Sequence, residues 1–260
     1  MKNYLKSVWD CRYFWFSLVR MDLRIRYRRS VLGVGWSLLH PIAMTVVLCT
    51  VFHTLMRVDI RTYGPYIMSG LAFWGYISAC TIQGARCFYQ GEAYIRQYPA
   101  PLAIYPLRTV LGAAFHFLIA LSAVLVMYWC LHGFGNVAAL HHVILILPLL
   151  LLLGWSTCVL AGFANVYFPD TAHLLEIGLQ ILFYATPIIW HPELLKERGL
   201  GWLVDVNPMA SILELVRAPI LTGQAPPMTA YGVAATTVLL TSVIAVTAIS
   251  TLQRRVIFHL

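Results

Sequence analysis

Charge is what this sequence has least of. Charged residues fill 11% of its 260 positions, against about 25% in a typical soluble domain. Apolar residues fill 60%, more than one globular core of this size can hide, which argues against a soluble cytosolic enzyme. Disorder is excluded as well, because 12 Phe, 8 Trp and 14 Tyr are the opposite of a disordered composition. The class that remains is a polytopic, all-α membrane protein.

Lysine is scarcer still. The chain has it only at positions 2, 6 and 196, never after a glycine-rich loop, so a GxxxxGK[ST] phosphate cradle is absent. HExxH and GxSxG are missing too. The six cysteines show no paired spacing and no CxxC, and read as buried small hydrophobes rather than disulfides or metal ligands. His141-His142 is a poor metal pair, because adjacent histidines diverge on any regular element. Asp170 and Glu176 do not share a helical face well, and read as charge near a helix start rather than as a catalytic pair. No acid lies mid-membrane, which argues against an ion-coupled carrier. A transporter with neither an ion relay nor a nucleotide site needs an external motor. The first 30 residues are charged and aromatic, with no apolar core and cleavage site, so no cleavable leader is expected.

Charge-free windows at 30–56, 62–85 and 109–169 locate the spans. The last window is too long for one crossing of about 20 residues, and is interrupted by polar residues at 132–142. Six spans are predicted, at about 36–56, 66–86, 109–131, 143–168, 172–191 and 228–252, in a single transmembrane domain covering 1–260. An even number puts both termini on one side. That side holds Lys2, Lys6, Arg12, Arg20, Arg24, Arg26, Arg28, Arg29, Arg86, Arg96, Arg108, Arg254 and Arg255. The other side holds Arg57, Arg61, Lys196, Arg198 and Arg217. The positive-inside rule makes the termini cytoplasmic. The net charge of +8 is then a topology and lipid signal rather than a nucleic-acid one.

Three non-span segments stand out. Residues 4–28, within a cytoplasmic stretch 1–30, read as an interfacial amphipathic helix, with basic residues stepping by four and aromatics opposite. Around Tyr27, the cluster Arg24, Arg26, Arg28 and Arg29 either grips a lipid phosphate through bidentate hydrogen bonds or only sets topology. The loop at about 86–108 has room for a short helix stopped by Pro99-Ala100-Pro101, and is either a docking piece for a cytoplasmic partner or a plain surface loop. The segment 192–227 is apolar for an ectodomain. Its Asn207-Pro208 is a helix start with Asn as cap, which suggests a pair of short re-entrant outer helices.

Three motifs together resemble a known family. The first runs Asp22-Leu23-Arg24-Ile25-Arg26-Tyr27-Arg28-Arg29-Ser30-Val31-Leu32-Gly33-Val34-Gly35-Trp36, then Pro41. The second is Phe168-Pro169-Asp170, Gln180 and Thr186-Pro187-Ile188-Ile189-Trp190. The third is Asn207-Pro208 with Arg217 ten residues beyond Asn207. Their order and spacing resemble the membrane (permease) subunit of type-2 ABC exporters, in the branch that moves polysaccharides and polyol phosphates: O-antigen, teichoic acid, capsule. Pro169 stands where that family often has a basic residue, and His40 where Asn is common.

The resemblance implies a set of roles. The 1–30 stretch would be an interface helix beside the cytoplasmic entrance. Gln90, Glu92, Tyr94, Arg96, Gln97 and Tyr98 would lie on a coupling helix docked in a separate ABC ATPase. Two permeases and two ATPases would form the unit, with ATP and Mg held by the partner and no cofactor or metal in this chain. Phe73, Trp74, Tyr76, Phe183, Tyr184 and Trp190 would line the path of a lipid-linked glycan, although Trp and Tyr belong at membrane interfaces in any case. Asn207 and Arg217 would belong to the outer re-entrant segment. The expected location is the bacterial cytoplasmic membrane. The alternatives are an ABC permease for a drug or small lipid, and a membrane glycosyl- or acyltransferase. The enzyme reading predicts a cluster of acids or histidines facing one leaflet, which the sequence does not show.

Overall fold

The computed structural model describes residues 2–28, 30, 32–97, 100–135, 137–253 and 255–259. Among them every regular element is helical. The chain begins with α1 (Lys2–Asp10) and α2 (Arg12–Tyr27). The sequence reading had one helix there; a break at Cys11 divides it. Next come α3 (Trp36–Met56) and α4 (Ile60–Ser78), the latter prolonged by a π-helical turn, Ala79–Gln83. Then follow α5 (Cys87–Gln97), α6 (Ile104–His132), α7 (Leu140–Tyr167) and α8 (Thr171–Ala185). The short helices α9 (Glu193–Lys196) and α10 (Trp202–Val206) precede α11 (Pro208–Leu221) and α12 (Met228–Leu252).

Among the described residues four helices are long and apolar enough to cross a membrane: α3 with its leading turn, α6, α7 with its leading turn, and α12. They coincide with four of the six predicted spans. The span predicted at 66–86 falls on α4 and its π-helical turn. Thirteen of the nineteen residues of α4 are buried. Helices α3, α6 and α11 surround it, so its neighbours, not lipid, contact most of its surface. It can therefore carry Gly64, Ser69, Gly70 and three tyrosines, small and polar groups that allow close helix approach.

The span predicted at 172–191 ends early. Helix α8 has 15 residues and stops at Ala185, because Thr186 precedes Pro187 and is held extended (φ −97°, ψ 140°), as a pre-proline residue prefers. The Thr186 amide still donates to Leu182 O at 2.9 Å, and residues 187–190 then run outside any helix.

The core centres on α7, which packs against α12, α6 and α11. At one end of the bundle, α2 runs along the first half of α6, and α5 wedges between α6 and α7. There Asn165 ties three elements together. Its amide donates to the Ala85 carbonyl at 2.8 Å, and its oxygen accepts from the Ala172 amide at 3.2 Å. The opposite end collects α9, α10 and α11. Helix α11 begins as its sequence predicts: Asn207 accepts from the Met209 amide at 3.0 Å, with Pro208 in the first turn. Replacing Asn165 with Ala would leave a buried carbonyl and a buried amide unpaired. The expected cost is about 1–3 kcal/mol, read as a lower melting temperature in detergent.

Candidate functional site

The arginine-rich motif is anchored by its non-arginine members. Asp22 of α2 makes a two-pronged ion pair with the guanidinium of Arg108 on α6. One and a half turns later the Tyr27 hydroxyl meets Ser37 Oγ (2.5 Å) and His116 Nδ1 (2.9 Å), and Ser37 and His116 lie 3.0 Å apart. Helix α2, the start of α3 and α6 are thereby locked together. Arg24, Arg26 and Arg28 remain exposed. None makes an ion pair or side-chain hydrogen bond among the described residues. Arg29 lies outside the described residues.

Helix α5 has two faces. Cys87, Phe88 and Gly91 are buried, with Phe88 against Phe163 of α7 (ring centroids 5.0 Å apart). A side chain at position 91 would strike the ring of Tyr105 on α6, so only glycine permits this approach. Tyr94 turns toward α2, edge-on to Phe14 at 5.8 Å. The outward face carries Gln90, Ala93, Arg96 and Gln97, and adds Tyr89, which the sequence reading had passed over. Glu92 is half-buried and holds Arg96 at 2.8 Å. Tyr98 lies outside the described residues. Arg86, just before α5, pairs with Glu176 of α8 at 3.4 Å.

At the opposite end, Arg217 of α11 is buried, 3% exposed. Its guanidinium donates to the carbonyls of Pro187, Ile188 (2.9 Å) and Tyr66 (3.0 Å) and to Ser69 Oγ (3.3 Å). It also lies 3.7 Å over the Tyr66 ring. The Tyr63 hydroxyl donates to Ile189 O at 2.6 Å, and that of Tyr66 faces the carbonyls of Pro187 (3.1 Å) and Trp190 (2.8 Å). Asn207 donates to Ala185 O (3.2 Å) and Thr186 Oγ1 (2.9 Å). The stretch freed from helix by Thr186-Pro187 is thus held almost entirely by side chains. Beside it opens a cavity of about 860 Å³ lined by Tyr66, Tyr128, His191, Asp205 and Glu214 among others. The surrounding protein pushes the Glu214 carboxyl above the usual range, and Arg217 pulls it back.

The six aromatics of the predicted glycan path divide. Phe73, Trp74 and Tyr76 are buried within the chain, where Tyr76 donates to Leu150 O at 2.8 Å. Tyr184 is exposed, and Phe183 and Trp190 are half-exposed. The Trp190 indole donates to Tyr184 O at 3.0 Å. Three of the six therefore serve as packing groups because α4 is central, while the α8 group stands at a surface. Among the described residues no three His, Cys, Asp or Glu side chains gather to hold a metal ion.

All three motifs lie within the stretch that matches a family model. Residues 13–221, from α2 through α11, match the ABC-2 type transporter family. The chain belongs to that family. Among curated relatives of this ABC-2 protein are two O-antigen export system permease proteins RfbA from Klebsiella pneumoniae. One is 24% identical over 196 residues, 75% of each chain. The other is 24% identical over 212 residues, 80% of this chain and 82% of the relative. A third, of the same name, from Myxococcus xanthus is 26% identical over 222 residues, 84% of each chain. The ABC-2 chain is accordingly a membrane-embedded transport protein. The sequence carried no local signal for the Tyr63–Tyr66 pair or for His116, because their partners lie about 80 to 125 residues away.

Two predictions follow from these locks. A double-mutant cycle of Asp22→Ala and Arg108→Ala should give a coupling of about 1–2 kcal/mol, since Asp22 is partly open to solvent. Arg217→Met should destabilise by about 3 kcal/mol or more, with several buried carbonyls left unpaired. Thiol labelling of Ile189→Cys should then accelerate. Gly70→Ala, whose methyl would collide with Arg217 Nη2, should do the same.

Proposed function

We propose that this chain is the permease subunit of an ATP-driven exporter that moves a lipid-linked polysaccharide of the O-antigen type across the bacterial cytoplasmic membrane. The observation that carries this reading is the family match over 13–221 together with relatives named as O-antigen export permeases along three quarters or more of both chains. A capsule polysaccharide, or a polyol-phosphate polymer joined by phosphodiesters instead of glycosidic bonds, would be a related lipid-linked cargo.

In this reading the chain is one transmembrane domain with six crossings. Besides the four long helices, α4 with its π-helical turn and the shorter α8 cross, and α9 to α11 form the outer re-entrant segment. Both termini are cytoplasmic. A second copy completes the path. Helix α8 supports this, since it buries only Ala172 and Leu179 and exposes Gln180 amid Ile177, Ile181 and Tyr184. A glutamine facing hydrocarbon is costly; against a second copy or an aqueous glycan path it is not.

Two copies of a separate ATPase would bind ATP and Mg and grip the outward face of α5. A push on α5 has direct routes onward: Phe88 into α7, Gly91 against Tyr105 of α6, Tyr94 to α2, and Arg86 to Glu176 of α8. The interface helix would bring the lipid phosphate to Arg24, Arg26, Arg28 and Arg29. The sugars would pass Phe183, Tyr184 and Trp190, whose rings can stack on sugar faces.

The test is co-purification with the ATPase and ATP hydrolysis with and without lipid-linked glycans. Stimulation severalfold is expected; no partner and no stimulation would sink the reading. Gln90→Glu with Arg96→Glu should weaken ATPase association about tenfold or more, while the half-buried Tyr94→Ala should act mainly through α2. Unchanged association in the charge-altered pair would remove the docking assignment.

A further inference from the structure

A cleft of about 220 Å³ opens where α2, α3, α4 and α6 meet. Arg26, Trp36, His40, Gly75 and Gln83 are among the residues that line it. A smaller pocket formed by Arg26, Tyr27, Trp36 and Ser37 adjoins it. We propose that this cleft seats the phosphate-bearing head of the lipid-linked substrate, with Arg26, His40 and Gln83 as its polar contacts. The proposal rests on the export reading and narrows it. The arginine cluster of the motif supplies one residue to the seat, and two residues outside the cluster complete it.

The polar groups of the cleft fall into two sets. Tyr27, Ser37 and His116 are taken up by one another and form a wall. Arg26, His40 and Gln83 are exposed, and make no side-chain hydrogen bond or ion pair among the described residues. Depth argues against an ordinary surface. Gln83 stands three residues, about 4.5 Å of helix rise, before Arg86, which pairs with Glu176 at the α5 end of the bundle. His40 is one turn into α3 from Trp36. The cleft therefore starts at headgroup level on the side of α5 and extends inward, where an unpaired amide or imidazole facing hydrocarbon is unfavourable.

The donor set selects the ligand. A guanidinium fork, a carboxamide and an imidazole can all donate, and among the described residues no carboxylate lines the cleft. That combination suits phosphate oxygens. The open space at Gly75, where an added side chain would meet nothing within 4 Å, leaves room for the group attached to the phosphate. Exposed Trp36 offers a ring face for a first sugar.

The permease–ATPase complex in phosphatidylcholine nanodiscs is titrated with polyprenyl phosphate carrying no glycan, and binding is measured directly. Wild type should bind. Arg26→Ala and Gln83→Leu should each raise Kd about tenfold, His40→Ala should raise it severalfold, and phosphatidylglycerol should not compete. Melting curves and oligomer mass are recorded for each variant. Variants that bind like wild type, a wild type that does not bind, or equal competition by phosphatidylglycerol would overturn the proposal. So would Arg26→Ala and Gln83→Leu dissociating the permease pair, since a second copy would then cover the cleft. Failure of the export reading is distinguished by the separate absence of ATPase stimulation by lipid-linked glycan in the wild type.

Discussion

A buried guanidinium with no salt-bridged carboxylate among the described residues holds the α9–α11 end of this protein together. Arg217 meets carbonyls instead of acids: Tyr66 O within α4, and Pro187 O and Ile188 O in a stretch that cannot be helical because Pro187 follows Thr186. Carbonyls stripped of water must find donors. One planar fork supplies several at once, which an ammonium cannot do from the same position. Tyr63, Tyr66 and Asn207 complete the arrangement. The end of α8, the start of α11 and the middle of α4 therefore move as one body, and the polar cavity beside them keeps its shape.

The opposite end follows a different logic. Here charge is kept at the surface, and a few tight pairs fix rigid helices to one another. Asp22 to Arg108 and Tyr27 to His116 set α2 along α6. Gly91 against Tyr105 and Phe88 against Phe163 seat α5 in the bundle. Helix α5 thus has one face committed to the core and another exposed, the arrangement that the proposed coupling to an ATPase would require. The arginines left over at this end are the ones with no internal task.

Much of this was legible in the sequence because lipid imposes a simple rule. Charge-free windows of helical length located α3, α6, α7 and α12 to within a few residues, and Asn207-Pro208 marked the start of α11. Pro99-Ala100-Pro101 marked where a short helix in the 86–108 loop has to stop. What the sequence hid shares one cause. Hydropathy does not reveal that a helix is surrounded by protein, so nothing local showed that Phe73, Trp74 and Tyr76 of α4 are buried within the chain. Span 5 was drawn through to residue 191 because composition outweighed the local effect of a single proline. Tyr94 was assigned to an outside partner, but it faces α2.

What the sequence determined by itself is therefore class, helix positions and family: these depend on composition, periodicity and local backbone chemistry, all of which act over a few residues. What only the tertiary structure decided is which polar groups are already satisfied. Arg217 and Arg26 look alike as letters. One is surrounded by carbonyls brought from about 30 and 150 residues away; the other is exposed and lines a cleft. Burial and partnership are properties of neighbours distant in the chain, and no local pattern encodes them.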